Sequence, residues 1–171
     1  DRKSPFHLPT VSTVTRGDGP SLRTVVLRGA DPERRRLRFH TDRRSAKFEE
    51  LERAPQFALH VYDPAIQTQI RLFGTGQTHH NDAEAKSAWN GSAPMSRLCY
   101  AAPEAPGQAV AAPPAAPRLE DFVDGEGFEN FCAVVLQVDR LEWLHLAASG
   151  HQRALFVWDA SGDCSAQWLA P

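Results

Sequence analysis

Cysteine is scarce in this 171-residue chain: Cys99, Cys132 and Cys164 are widely spaced and odd in number. That pattern argues against a disulfide framework and fits free thiols in a reducing compartment, so the expected location is cytoplasmic. No apolar run approaches the length of a bilayer span and no signal-peptide pattern opens the chain, so no membrane association is expected. A dominant sign of charge is also missing. The formal net charge is -2, which argues against a general nucleic-acid binder. The run Arg34-Arg35-Arg36 is local, sits beside Asp31 and Glu33, and reads as an exposed hairpin tip. There is no internal repeat. The first residue is Asp1 rather than Met, which leaves room for sequence upstream.

What is present reads as one domain over residues 1–171, with an ordinary hydrophobic fraction of 42%. Thr10 to Thr15 is a β-branched strand followed by Arg16-Gly17-Asp18-Gly19-Pro20, a turn signal, and Leu22 to Arg28 reads as its hairpin partner. Leu37 to Thr41 is a third strand. From Arg43 to Ala54 the period changes: Phe48, Leu51 and Ala54 recur at helical spacing, Ser45 stands at the N-cap and Pro55 ends the run. Phe57, Leu59 and Val61 alternate with Ala58, His60 and Tyr62 as a half-buried strand. Gln69 to Gln77 is another, with Gly74 and Gly76 permitting a bend or bulge. Asn81 to Trp89 reads as a short helix. Residues Ala101 to Pro117 are Ala- and Pro-rich without apolar periodicity, a surface excursion. Cys132 to Val138, Trp143 to Leu146, Arg153 to Trp158 and Ala166 to Leu169 complete the strands. Many short strands with a few brief helices predict a mainly β fold, a β-barrel with helical embellishments.

Positive charge gathers around one helix start. Arg43, Arg44 and Lys47 crowd the N-terminus of the Ser45–Ala54 segment, where the helix dipole disfavours cations by roughly 0.3–1 kcal/mol each. A bound anion would reverse that cost by accepting bonds from the free backbone N–H groups, the Ser45 hydroxyl and the Lys47 ammonium. From this feature alone, a bound anion and solvated surface cations stand as equal alternatives. The strand Arg23-Thr24-Val25-Val26-Leu27-Arg28 carries an Arg at each end. Alternation puts the two guanidinium groups on opposite faces, so they need not share a target.

The order of these pieces resembles the pyridoxamine 5′-phosphate oxidase family. That family has Arg-x-Val-Leu-Leu-Lys, Phe-Tyr-Thr-Asn, Ser-Arg-Lys and Glu-Arg-Gln-Val. Here, in the same order, stand Arg23 to Arg28, Phe39-His40-Thr41-Asp42, Ser45-Ala46-Lys47 and Gln67-Thr68-Gln69-Ile70. The resemblance runs from about Val11 to the closing Trp168-Leu169-Ala170-Pro171, and weakens between Asn90 and Phe131. It implies an FMN-binding split β-barrel and a homodimer with FMN in the cleft between subunits. Arg23 and Lys47 would hold the FMN phosphate, with Ser45, Thr41 and neighbouring His40 beside it. Backbone groups of Val25, Val26 and Leu27 would line the isoalloxazine ring, with Arg28 closing that motif. Gln69, from the partner subunit, would bond the polar edge of the ring, and Arg153 would approach from the C-terminal part. Trp143 or Leu144 stands where the family has a flavin-contacting Trp, and Gln108 matches a further contact.

Several departures bear on activity. Ala46 replaces the family's second phosphate-side Arg, with Arg43 and Arg44 as the candidates to compensate. Arg28 replaces a Lys that meets substrate in the oxidase proper, a change from a point charge to a planar fork. The oxidase's Tyr-x-x-x-Arg-x-x-x-Ser substrate motif falls on Ala88 to Arg97, where the Tyr and Arg are missing and Ser96 remains. Its C-terminal Arg-x-His is met only by His151 and Arg153. The expectation is therefore a divergent FMN-dependent oxidoreductase on a small organic substrate. The alternatives are a non-enzymatic flavin-binding sensor or store, or the same barrel carrying deazaflavin F420 or haem. His40 and His60 are lone strand histidines, and no catalytic residue is assigned. His79-His80, with His7, His145 or His151, matches no metal-ligand spacing, so no metal is expected.

Overall fold

The structure, a computed structural model, describes residues 3–17 and 19–171. Asp18, within the predicted Arg16–Pro20 turn, and Asp1 lie outside the described residues. The strands are β1 (Thr10–Val14), β2 (Pro20–Thr24), β3 (Leu27–Asp31), β4 (Arg36–Asp42), β5 (Gln56–Asp63), β6 (Thr68–His79), β7 (Phe131–His145), β8 (Gln152–Trp158) and β9 (Cys164–Leu169). Helix α1 (Ala46–Arg53) separates β4 from β5, while α2 (Ala83–Asn90) and α3 (Pro94–Arg97) follow β6.

Every pairing is antiparallel, in the order β2-β1-β5-β6-β7-β4-β3, with β8 and β9 continuing from β7. Along one edge of β7 runs β6. Along the other, β4 pairs with Phe131–Gln137 and β8 takes over from Arg140 to His145. Two strands thus share one edge of β7, which is what splits the barrel.

Alternation explains the core. Val11 on β1, Phe39 on β4, Phe57 and Leu59 on β5, and Val134, Leu136 and Val138 on β7 turn inward and form one buried cluster with Leu51 of α1. Each such side chain contributes about 1.5–3 kcal/mol by leaving water. A second cluster lies on the outer face of β7, where Ala85, Ala88 and Trp89 of α2 pack on Phe131, Ala133 and Tyr100. The helix that supplies it begins at Asp82, whose carboxylate accepts the Ala85 N–H at 2.8 Å, a side-chain N-cap.

Two stretches differ from the sequence reading. The predicted Leu22–Arg28 strand is broken, because β2 ends at Thr24 and β3 begins at Leu27. Val25 is buried there and donates its N–H to the Pro9 carbonyl at 3.0 Å instead of to a ladder. The segments around Cys132–Val138 and Trp143–Leu146 are one 15-residue strand, β7. They looked separate because a bulge opposite Phe73 and Gly74 inserts Asp139 into β7. Inward-facing positions therefore pass from Val134, Leu136 and Val138 to Leu141 and Trp143, opposite Leu72 and Ile70. The Ala101–Pro117 excursion forms no strand or α-helix, as expected.

The bulge depends on one residue. A Cβ at Gly74 would stand 1.9 Å from the Gln137 carbonyl oxygen and 3.2 Å from the Asp139 nitrogen, both backbone atoms that cannot move aside. At Gly17 a Cβ would meet nothing within 4 Å. Gly74→Ala is expected to lower unfolding stability by about 2 kcal/mol or more, against little change for Gly17→Ala, as read by urea denaturation.

Candidate functional site

The start of α1 is reached from buried backbone. Thr41 and Asp42, both buried, close β4, and Ser45 takes the N-cap position with extended backbone. Its hydroxyl makes no capping bond; it donates to the Asp42 carbonyl at 2.6 Å. Lys47 Nζ donates to Thr41 Oγ1 at 3.1 Å, and Thr41 Oγ1 lies 3.1 Å from Ser45 Oγ. Because Thr41 accepts from the ammonium, its own proton is free for Ser45, and a directed chain runs from Lys47 through both hydroxyls to the Asp42 carbonyl.

Arg23 arrives from β2, opposite Val11. It pairs with Glu50 of α1 at 2.8 Å and donates to Thr13 Oγ1 and to the Ser21 carbonyl and hydroxyl. Burial depresses the Lys47 pKa, and the Arg23 charge depresses it further, with Asp42 and Glu50 offsetting part. Burial alone would raise Glu50, but the bonds from Thr13 and Arg23 and the charges of Arg23 and Lys47 outweigh it and hold the carboxyl below its usual range. Two cations therefore converge on a half-buried spot, with Glu50 paired to Arg23 and the Asp42 carboxylate, paired to Arg44, close by. The helix adds the N–H groups of Ala46 and Lys47, whereas the Phe48 N–H is already donated to the Ser45 carbonyl at 3.0 Å.

Glu50 and Thr13 went unremarked in the sequence reading. The available signal was Glu50 three residues after Lys47, on the same helix face. Arg43 and Arg44 do not take the place of the missing second Arg. Arg43 is exposed, and its backbone N–H donates to the Asn130 carbonyl at 2.8 Å. Arg44 is held by Asp42 at 2.7 Å and by two backbone carbonyls.

The remaining candidates lie elsewhere. Leu27 opens β3 and packs toward the core, while Val26 belongs to neither neighbouring strand. Arg28 is the extra residue where the β3–β4 register shifts, and it is exposed. His40 points away from Thr41, onto the outer face, edge-on to Phe131 with ring centroids 4.9 Å apart. Burial, then the charges of Arg38 and Arg28, push its pKa down to about 4.

Gln69 and Arg153 stand on the outer face near the other end of the barrel, both opposite Leu144 of β7. Gln69 Oε1 lies 3.1 Å from His60 Nε2. Arg153 bonds Glu142 at 2.6 Å, and Arg71 reaches the same carboxylate at 3.2 Å. Trp143 faces inward, edge-on to Trp168, a 73% exposed indole. The chain thus brings Arg23, Thr41, Ser45 and Lys47 together and leaves Arg28, His40, Gln69 and Arg153 apart from them.

A nine-stranded antiparallel sheet closed this way, with short flanking helices, defines a split β-barrel. Residues 1–80 match the family model for the FMN-binding domain of pyridoxamine 5′-phosphate oxidase. Pyridoxine/pyridoxamine 5′-phosphate oxidase 2 of Arabidopsis thaliana is 26% identical over 169 residues, covering 94% of this chain and 83% of the plant protein. A pyridoxamine 5′-phosphate oxidase-related, FMN-binding protein of Nostoc punctiforme superposes with a TM-score of 0.79 at 24% identity, over 96% of this chain and 88% of that one. PhzG of Burkholderia lata, solved with tetrahydrophenazine-1-carboxylic acid, gives 0.73 at 20% identity, over 96% and 82%. These findings bear out the resemblance: the fold is the pyridoxamine 5′-phosphate oxidase-like split β-barrel, and residues 1–80 match the FMN-binding domain of that family.

Among the described residues, no group of three or more His, Cys, Asp or Glu side chains is placed to hold a metal, and no helix is long and apolar enough to cross a membrane.

His40 couples folding to pH. Well above pH 6.5 its ring is neutral in folded and unfolded chains and contributes no pH dependence. As pH falls through 6.5 the unfolded chain takes up a proton that the folded chain resists until about 4, so stability drops across that window by about 3 kcal/mol. His40→Phe should flatten that part of the stability–pH curve, measured by denaturation at stepped pH.

Proposed function

We propose that this protein binds FMN, with the phosphate at Arg23 and Lys47, and that it is an FMN-dependent oxidoreductase on a small organic substrate. The observation that carries the reading is the convergence of those two half-buried cations, with Glu50 paired to Arg23 and the neighbouring Asp42 carboxylate already paired to Arg44. The pair leaves an excess of positive charge and a lysine whose protonation is already opposed. A phosphate there relieves both. Much of the Arg23 fork already serves Glu50, Thr13 and Ser21, so Lys47 is the residue most available to the anion, with Thr41 and Ser45 rotating their hydroxyls toward it.

Val25 and Val26, outside both strands, offer a short run of backbone for the flat ring, and Arg28 at its bulge overhangs the outer face. Gln69 and Arg153 reach the ring from a second copy of the chain, which is the reason for reading the protein as a homodimer with FMN at the seam. When bound, the flavin supplies two-electron chemistry with the substrate; the chain's part is to hold and orient it. The substrate differs from that of the vitamer oxidases, because the Arg97 guanidinium is engaged with the Ser92 and Asn90 carbonyls, the Asp124 carboxylate and the Trp89 ring. The free thiols Cys99, Cys132 and Cys164 fit a cytoplasmic setting.

Purified protein should be yellow and release FMN on denaturation, and NADH or NADPH turnover would separate an enzyme from a store. Arg23→Ala with Lys47→Ala should weaken FMN binding by roughly 100-fold, measured by flavin fluorescence titration. Unchanged affinity would overturn the phosphate assignment.

A further inference from the structure

The Ala- and Pro-rich excursion leaves the second core cluster at Tyr100 and rejoins it at Phe131, and both of its ends are tied to the Asp42–Ser45 turn. At the outgoing end, Arg44 Nη2 donates to the Ala102 carbonyl at 2.9 Å and Nη1 to the Pro103 carbonyl at 3.0 Å. The same guanidinium donates to both Asp42 carboxylate oxygens, while the Arg44 backbone N–H donates to Asp42 Oδ1 at 2.7 Å. At the returning end, the Arg43 N–H donates to the Asn130 carbonyl at 2.8 Å, and Asn130 Nδ2 donates to the Tyr100 carbonyl at 2.8 Å. Gly127 makes the pinch possible: a Cβ there, at φ +83°, would stand 2.6 Å from the Ala101 nitrogen.

Asp42 is the junction. Its buried carboxylate faces Arg44 and its carbonyl accepts both the Ser45 N–H and the Ser45 hydroxyl. The group that holds the excursion therefore also sets the hydroxyl chain leading to Lys47. A Pro-rich segment is semi-rigid, so displacement at its root is carried along it rather than absorbed.

We propose that Arg44 is a positioning residue that makes the excursion and the anion-side turn one cooperative unit, so that phosphate held at the turn secures the excursion and release of the excursion loosens the phosphate. This rests on the FMN reading. The two effects are reciprocal by linkage, and they need the planar fork, which serves one carboxylate and two carbonyls at once.

The test is tryptic cleavage after Arg118, the one Lys or Arg between Tyr100 and Phe131 and an exposed one, in the full chain with and without FMN. In the wild type, saturating FMN should slow that cut several-fold. In Arg44→Ala the cut should be fast and the same with or without saturating FMN, and FMN affinity should fall roughly tenfold. Arg44→Lys, which keeps the charge and loses the fork, should behave like Arg44→Ala. A wild-type degree of FMN protection in Arg44→Ala would overturn the proposal, as would a wild type that binds FMN without any protection of Arg118. If Arg44→Ala does not fold, Asn130→Ala interrogates the returning end: a reduced protection ratio supports the coupling and an unchanged ratio overturns it. Absence of FMN binding by the wild type would instead remove the reading beneath it.

Discussion

The ladder along both edges of β7 is the constraint on which the rest of the molecule depends. One edge is filled by β6; the other is divided between β4 and β8. Because β4 occupies the first half, its last residues Thr41 and Asp42 are carried to the N-terminus of α1, and because β8 occupies the second, Arg153 is carried to the opposite end of the same strand. The separation of the two groups of candidate residues follows from how β7 shares its hydrogen bonds. The bulge at Asp139 adds to it by reversing which residues of β7 face the core.

At the helix start, electrostatics and packing bear on the same few atoms. Lys47 is disfavoured by burial and by the Arg23 charge, and Asp42 and Glu50 offset part of that cost. The protein tolerates this because the hydroxyls of Thr13, Thr41 and Ser45 solvate the charged groups where water cannot. A surface cluster would relax by side-chain rotation; here Thr41 and Ser45 are buried and the positions are held.

Much of this was legible in the chain. Alternation located the strands around Phe57–Val61 and Val134–Val138, and the 3.6-residue recurrence of Phe48 and Leu51 with Pro55 beyond located α1. The four motifs in order pointed to the barrel that the comparisons bear out. What was hidden had physical causes. The break at Val25 depends on a bond to Pro9, which local β-propensity cannot anticipate. The continuity of β7 was masked by the parity change at its bulge. Arg44 looked like a phosphate ligand because charge and position are visible in a sequence, whereas its Asp42 and carbonyl partners are visible only in three dimensions.

The shared edge of β7 also bears on how the chain reaches its native state. The Arg36–Gln137 side-chain bond on the β4–β7 ladder joins positions 101 apart, whereas β7, β8 and β9 form a meander of near neighbours. Bringing distant segments together costs loop entropy before any pairing compensates for it, so local meanders form readily and remote ladders late. Closure of the barrel by β4 is then the slow step of folding. The turn that gathers Arg44, Ser45 and Lys47 takes its final shape only when that step is complete.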